Sequence, residues 1–519
     1  MKKLFNLFTS LVLFFTVSSA QEKVDLQMMQ KIKDEEKNNS QLQMIAYNLT
    51  DVCGPRLTNS PGYNRALDWV TATCKKWGLA NAGREAWGEF GKGWSTEQAT
   101  LSLRVPYYEN IIAYSLPWTK GTGKLVKGEV VMLDAMDSAT IDKVGAAIKG
   151  KIVMVKPGNT KLPDAFVPFA TRRSDTSLNH LPDEYMFTRE QIDAFIPYIK
   201  RDYYTSLYLE KKGVLAILTS NPDSRDGTVF VDGGNGGYAK GYAAQPTMLR
   251  LSREAYLKLA RLIADKKKVV MEANVQNTFY TNDLTGNNVI AEIPGTDPVL
   301  KDEVVMLGGH LDSWASGTGA TDNAAGCIVM MEAMRILKSL GIQPRRTIRM
   351  ALWGGEEQGL YGSFGYVKKH FGDPIDMKLK PEQSKISAYY NIDNGSGKIR
   401  GIFLQNNEAV RDIFKSWLEP FADMGATGIT SSNTGSTDHI SFDAVGIPGF
   451  QFIQDPLEYE TRTHHSNMDV YDHLSIDDLK QAAVIIAGFV YNTAMRDEKL
   501  PRKPLPKPGR FVFDFDFPL

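Results

Sequence analysis

The chain has 519 residues, 43% hydrophobic and 23% charged, a soluble-globular balance in a length too great for one ordinary core. Sixty basic and sixty acidic residues cancel, so no global field favours nucleic acid or an anionic membrane, and partners must be recognised locally. Three cysteines exclude a disulfide scaffold.

At the start of the chain, Lys2 and Lys3 precede an apolar segment over 4–17, and Ser18, Ser19 and Ala20 form a small-residue cleavage site. This is the pattern of a secretory signal peptide over 1–20. No cysteine follows to carry a lipid, and no later segment is apolar enough over a bilayer's span. Export to the periplasm or the extracellular space is expected, without stable membrane insertion. Export permits a Cys53–Cys74 bridge, which the sequence does not decide; Cys74 and Cys327 lie on apolar helical stripes. Residues 21–40 are rich in lysine and glutamate without a firm apolar face, and read as a leader or propeptide-like helix outside the core.

From Ser40 the pattern is helical, breaks at CGPRLTNSPG and resumes over Tyr63 to Leu79; NIIAYS at 110–115 is a strand. Between 120 and 272 come short β-like runs at 130–133, 151–155 and 214–218, with helices over 189–208 and 252–265 and a solvated end at Lys266 to Lys268. We read 120–272 as an inserted β-rich domain. From Asn288 strand alternates with helix as far as 497, with strands at 304–307, 347–353, 386–392 and 449–452. The flanking pieces, 41–119 and 273–499, then form one α/β unit with a mixed, mainly parallel central sheet flanked by helices. The tail, 500–519, ends in FVFDFDF, where Phe513, Phe515 and Phe517 alternate with Asp514 and Asp516. That suits an edge strand packed on the body or on a second subunit, which leaves a homodimer open.

The chemistry gathers at strand ends. The apolar run Val304 to Leu307 stops at Gly308 and Gly309, so His310 lands at the carboxyl end of a central strand, where open α/β sheets bind ligands. Asp312, two residues on, is the type of group that accepts the spare imidazole proton of a metal-bound histidine. Asp322 opens a helix whose Ala324, Cys327, Met331 and Met334 share a face. Thr347 to Trp353 ends in two glycines, then Glu356 and Glu357, of which one can bind metal while the other holds a water. Asp393 closes SAYYNID. His464 and His465 precede Asp469, while His439 and His473 are read as structural. His310, Asp322, Glu357, Asp393 and one of His464 or His465 are too many ligands for one tetrahedral zinc. They suit two Zn2+ sharing a carboxylate and a water, with Glu356 spare.

The stretches HLDSW, GATDNAAG, WGGEEQGLYGS, NID and HHSNMD resemble the co-catalytic di-zinc exopeptidase family of aminopeptidases and glutamate carboxypeptidases, and in layout its carboxypeptidase Q branch. The motifs span 270–497, and 40–115 agrees in texture. The resemblance implies the zinc exopeptidase fold, with the insert as a protease-associated domain. It implies that His310 and Asp393 hold one zinc, Glu357 and His465 the other, that Asp322 bridges them, and that Glu356 is the general base. His465 is preferred to His464 because the family's ligand stands four residues before an aspartate, here Asp469. Many relatives carry a tyrosine where this chain has His464, the candidate oxyanion donor. A cis peptide at Asp322–Asn323 is also implied. The implied reaction is hydrolysis of dipeptides or short peptides, with a carboxypeptidase Q-like dipeptidase favoured over an aminopeptidase. Asp438 is the candidate for a substrate ammonium, and Arg172 or Arg173 for a terminal carboxylate. Two alternatives are a non-catalytic receptor on the same architecture, which would be expected to have lost ligands, and a single-zinc glutaminyl cyclase, against which the insert and the five ligands speak.

Overall fold

A computed structural model describes residues 22–162, 166–184, 189–233 and 236–509. The expected signal peptide and the strand at 513–517 lie outside the described residues. Two eight-stranded sheets dominate. The first runs in the order Ala80–Glu89, Thr285–Ile293, Thr347–Trp353, Val304–His310, Ile386–Asn391, Gly449–Gln454, Ile399–Phe403, Gly428–Thr430. Its four middle strands are mutually parallel, and antiparallel neighbours close both flanks. Three of the four are buried along their whole length, as strands covered on both faces must be.

Alternate side chains explain the two layers. Val305 and Leu307 join a core with Ile328, Met331, Ile485 and Phe489 from the buried helices Ala325–Ser339 and Ile476–Met495. Met306 faces the other way, towards Trp353, Tyr366, Tyr389 and Phe442. The fold is therefore mixed α/β with helices on both faces of a mainly parallel sheet. All four parallel strands deliver their carboxyl ends to one edge.

The second sheet runs Glu109–Asn110, Gly93–Val105, Val270–Tyr280, Val126–Leu133, Ile152–Val155, Ala216–Thr219, Met248–Leu251, Ala113–Ser115. It starts well before residue 120 and ends after 272, outside the limits read from the sequence. The reason is one long ladder: Gly93 pairs with Tyr280 and the register continues to Val105 opposite Val270. The NIIAYS stretch accordingly belongs to this sheet and not to the first.

The N-terminal segment also departs from expectation. Helix Leu26–Asn39 buries Met29 and Ile32 against the main core. It also carries Glu35 and Glu36 to Arg335, with Glu35 2.6 Å away. Its apolar face is short because the Glu35–Arg335 ion pair adds to the docking, which is why the sequence shows no clear stripe. Among the described residues no helix is long and apolar enough to cross a membrane, and Cys53, Cys74 and Cys327 are buried free thiols.

Candidate metal centre

Every element of the site sits at the shared edge of the parallel strands. His310 is the last residue of its strand; Glu356 and Glu357 follow Trp353; Asp393 follows Asn391; His464 and His465 lie in the loop after Gln454. Asp322 comes from a kinked segment before Ala325–Ser339, with a cis peptide to Asn323. Gly326 makes the approach possible: a Cβ there would lie 2.3 Å from the Ile392 carbonyl, so only glycine lets this helix start against the strand end carrying Asp393. Asn323 donates its side-chain amide to the same carbonyl at 2.8 Å.

The side chains fall into two groups about Asp322. On one side His310 Nε2 lies 3.2 Å from Asp322 Oδ1 and 3.2 Å from Asp393 Oδ1. On the other, His465 Nε2 lies 3.1 Å from Asp322 Oδ2 and 3.0 Å from Glu357 Oε2. Glu356 Oε2 stands 3.8 Å from His310 Nε2, and His464 Nε2 stands 3.7 Å from Asp322 Oδ2. Glu357 Oε1 is buried without a hydrogen-bond partner among the described residues. Asp322, Glu356, Glu357 and Asp393 thus converge on few imidazoles, and each oxygen of Asp322 faces its own imidazole–carboxylate pair. That excess of buried negative charge and that nitrogen and oxygen donor set fit two divalent cations.

Electrostatics agree. Burial pushes Glu356 well above the usual carboxylate range, against the pull of His310, and takes Glu357 up to about 7. Burial also works to raise Asp322, but its bonds with His310 and His465 hold it well below. Burial works to lower both His310 and His465; Asp393 beside the first and Glu357 beside the second nevertheless hold them well above the ordinary imidazole value.

The supporting shell adds a backbone contact at Asp312. His310 Nδ1 is 3.0 Å from the Asp312 backbone carbonyl and 3.6 Å from its carboxylate, so the carbonyl is the nearer partner. The carboxylate is already occupied: Thr58 Oγ1 donates to it at 2.9 Å and the Glu356 amide at 3.2 Å. Asp312 therefore fixes both the imidazole and the turn bearing the two glutamates. Asp469 accepts from the amides of Thr321 and Asp322, so it positions the shared carboxylate. Arg56 is a residue the sequence did not single out. It is fully buried and donates to the carbonyls of Leu311 at 2.7 Å and Gly319 at 2.8 Å, as well as to Thr318 and Leu49. It pins the loop between His310 and Asp322. The only sequence signal was an arginine inside a glycine- and proline-rich turn.

The three candidates for substrate contacts separate. Asp438 is fully buried, its carboxyl pushed up to about 8 by desolvation near His310 and Asp393, which withdraws it from a ligand arriving from solvent. Arg172 is spent on Asp455 at 2.9 Å and Asp478 at 2.7 Å, tying its loop to the first-sheet layer. Arg173 lines a cavity of about 410 Å³ with Glu184, Asn394, Gln454, Tyr459 and Glu460. This cavity adjoins the ligands directly: Asn394 follows Asp393, Tyr459 stacks on His464 at 4.6 Å, and Glu460 lies 3.5 Å from His464 Nδ1. His439, bonded to Gln405 and Thr434, and His473, bonded to Glu458, stay outside the site.

Sequence comparison matches residues 288–490 to peptidase family M28, the segment that carries all five candidate ligands. Over these residues the chain carries a match to peptidase family M28 and lies outside that match elsewhere. It is similar to carboxypeptidase Q of Mus musculus, 31% identical over 265 residues, a match spanning 51% of this chain and about half, 53%, of that protein. With carboxypeptidase Q of Bos taurus the match is 25% over 455 residues, 88% of this chain and 85% of that one. Among solved structures, a peptidase M28 precursor from Shewanella amazonensis shares the fold with a TM-score of 0.66 at 22% identity, covering 93% of this chain and 99% of its own. The M28 match and the strand-end cluster thus fall on the same residues.

Proposed function

We propose that this chain is an exported di-zinc exopeptidase that hydrolyses dipeptides or short peptides, with Glu356 as general base. The observation that carries this reading is Asp322, whose two oxygens each face a separate imidazole–carboxylate pair. In it, His310 and Asp393 would hold one ion, Glu357 and His465 the other, and Asp322 would serve both. Zinc so held would supply Lewis-acid polarisation of the scissile carbonyl and acidify a water.

The chain's own groups do the rest. Glu356 lies outside both imidazole–carboxylate pairs and within 3.8 Å of His310 Nε2; ionised in the field of bound cations, its carboxylate would take a proton from the attacking water and hand it to the leaving amine nitrogen. His464, stacked on Tyr459 and facing Glu460, is oriented as a donor to the carbonyl oxygen as negative charge develops there. Arg173 supplies a cation for a free terminal carboxylate in the adjoining cavity, which favours a carboxypeptidase Q-like dipeptidase. The presence of Glu184 and Glu460 on the same cavity supports a second reading, an aminopeptidase that captures the substrate ammonium there.

One experiment addresses reaction and polarity together: incubation with free, amino-blocked and carboxyl-amidated dipeptides, with and without a zinc chelator. Cleavage of free dipeptides that chelation abolishes and amidation weakens is the expected outcome. Cleavage unaffected by chelation would end the metallopeptidase reading, and loss only on amino-blocking would favour the aminopeptidase.

A further inference from the structure

The loop carrying His465 is held from outside the first-sheet layer. Val231 donates its amide to the His465 carbonyl at 2.7 Å, and Asn467 donates its amide to the Val229 carbonyl at 3.1 Å. Phe230 bridges Ser466 in antiparallel fashion. The Asn467 side chain completes the lock: its Oδ1 accepts from the Val229 amide at 2.7 Å and its Nδ2 donates to the Gly227 carbonyl at 3.3 Å. The strap itself is rigidly rooted, since Val229 and Val231 are fully buried in a core with Leu133, Val153, Ile217 and Met248 of the second sheet.

His465 needs such support. Its backbone is left-handed, with φ +58°, a conformation an L residue holds only when its surroundings over-determine it. Trp314 packs its ring against the imidazole at 5.8 Å and also contacts Trp118 at 6.3 Å. By contrast, His310 ends a buried strand and has no need of the other layer.

We propose that the strap Val229–Val231 is a positioning element for the metal centre, and that Asn467 is its lock, so that occupancy of the Glu357/His465 position depends on the second-sheet layer while the His310/Asp393 position does not. The proposal rests on the di-zinc reading above. Asn467 touches neither ligand atoms nor substrate; it acts through the His465 backbone. Metal binding and strap order are then linked, and each must stabilise the other.

The test is a competitive zinc titration of full-length wild type, Asn467→Ala and Asn467→Asp, the last of which keeps an acceptor for the Val229 amide. Two zinc ions per wild-type chain are required at the outset, and fewer would refute the di-zinc reading itself. In Asn467→Ala one of the two affinities is expected to fall about tenfold while the other holds, with most of the loss restored in Asn467→Asp. Unchanged affinities, or an equal loss of both, overturn the proposal. Should Asn467→Ala fail to fold, amide hydrogen exchange on wild type decides: zinc is expected to slow exchange at Val231 and Asn467, and no change on loading would refute the linkage.

Discussion

The two halves of the site are built differently. His310 and Asp393 end buried strands of one sheet, and Asp312 and Arg56 fix the loop between His310 and Asp322. His465 sits on a left-handed loop, partly exposed, and takes its backbone partner from the other layer. The first half is a property of the sheet; the second depends on two layers meeting. Asp322 alone belongs to both.

Replacing that shared residue breaks the comparison most completely. Asp322→Ala is expected to weaken both zinc sites and reduce peptide hydrolysis to background, read by zinc content after gel filtration together with activity. Next in size, Glu356→Gln is expected to retain both ions and lose about a thousandfold in kcat, since its carboxylate belongs to neither pair; steady-state kinetics on zinc-saturated protein checks it. Arg56→Met tests the sheet-built half. It leaves several buried carbonyls without a donor, and a loss of about 3 kcal/mol is expected in denaturant unfolding.

The smallest effect lies far from the ligands and sharpens the contrast by leaving both halves intact. Burial beside Glu332 pushes Glu36 up to about 8. A carboxyl raised on folding contributes fully below its unfolded value, and stability is lost as pH climbs from there towards 8. Glu36→Gln is therefore expected to flatten the fall in melting temperature between pH 5 and about 8, with zinc content unchanged.

What was legible in the sequence follows the same division. Continuous apolar runs ending in glycine announce buried parallel strands, and so the sequence alone puts His310, Glu356, Glu357 and Asp393 at one edge. The polar strands Ala80–Glu89 and Gly93–Val105 could not, because each keeps much of its length in solvent and owes its position to pairing. Arg56 and Asn467 were equally hidden. Each acts on backbone groups contributed by distant segments, and neither residue type in a loop signals burial or a long-range contact. Arg172 and Arg173 show the limit most directly: the same two letters, side by side, one spent on Asp455 and Asp478 and the other facing a cavity.

Anomalous diffraction at the zinc absorption edge from crystals of the native protein tests the central claim most directly. Two peaks about 3.5 Å apart are expected, one between His310 and Asp393, the other between Glu357 and His465, with Asp322 bridging. A single peak, or none among these side chains, would contradict it.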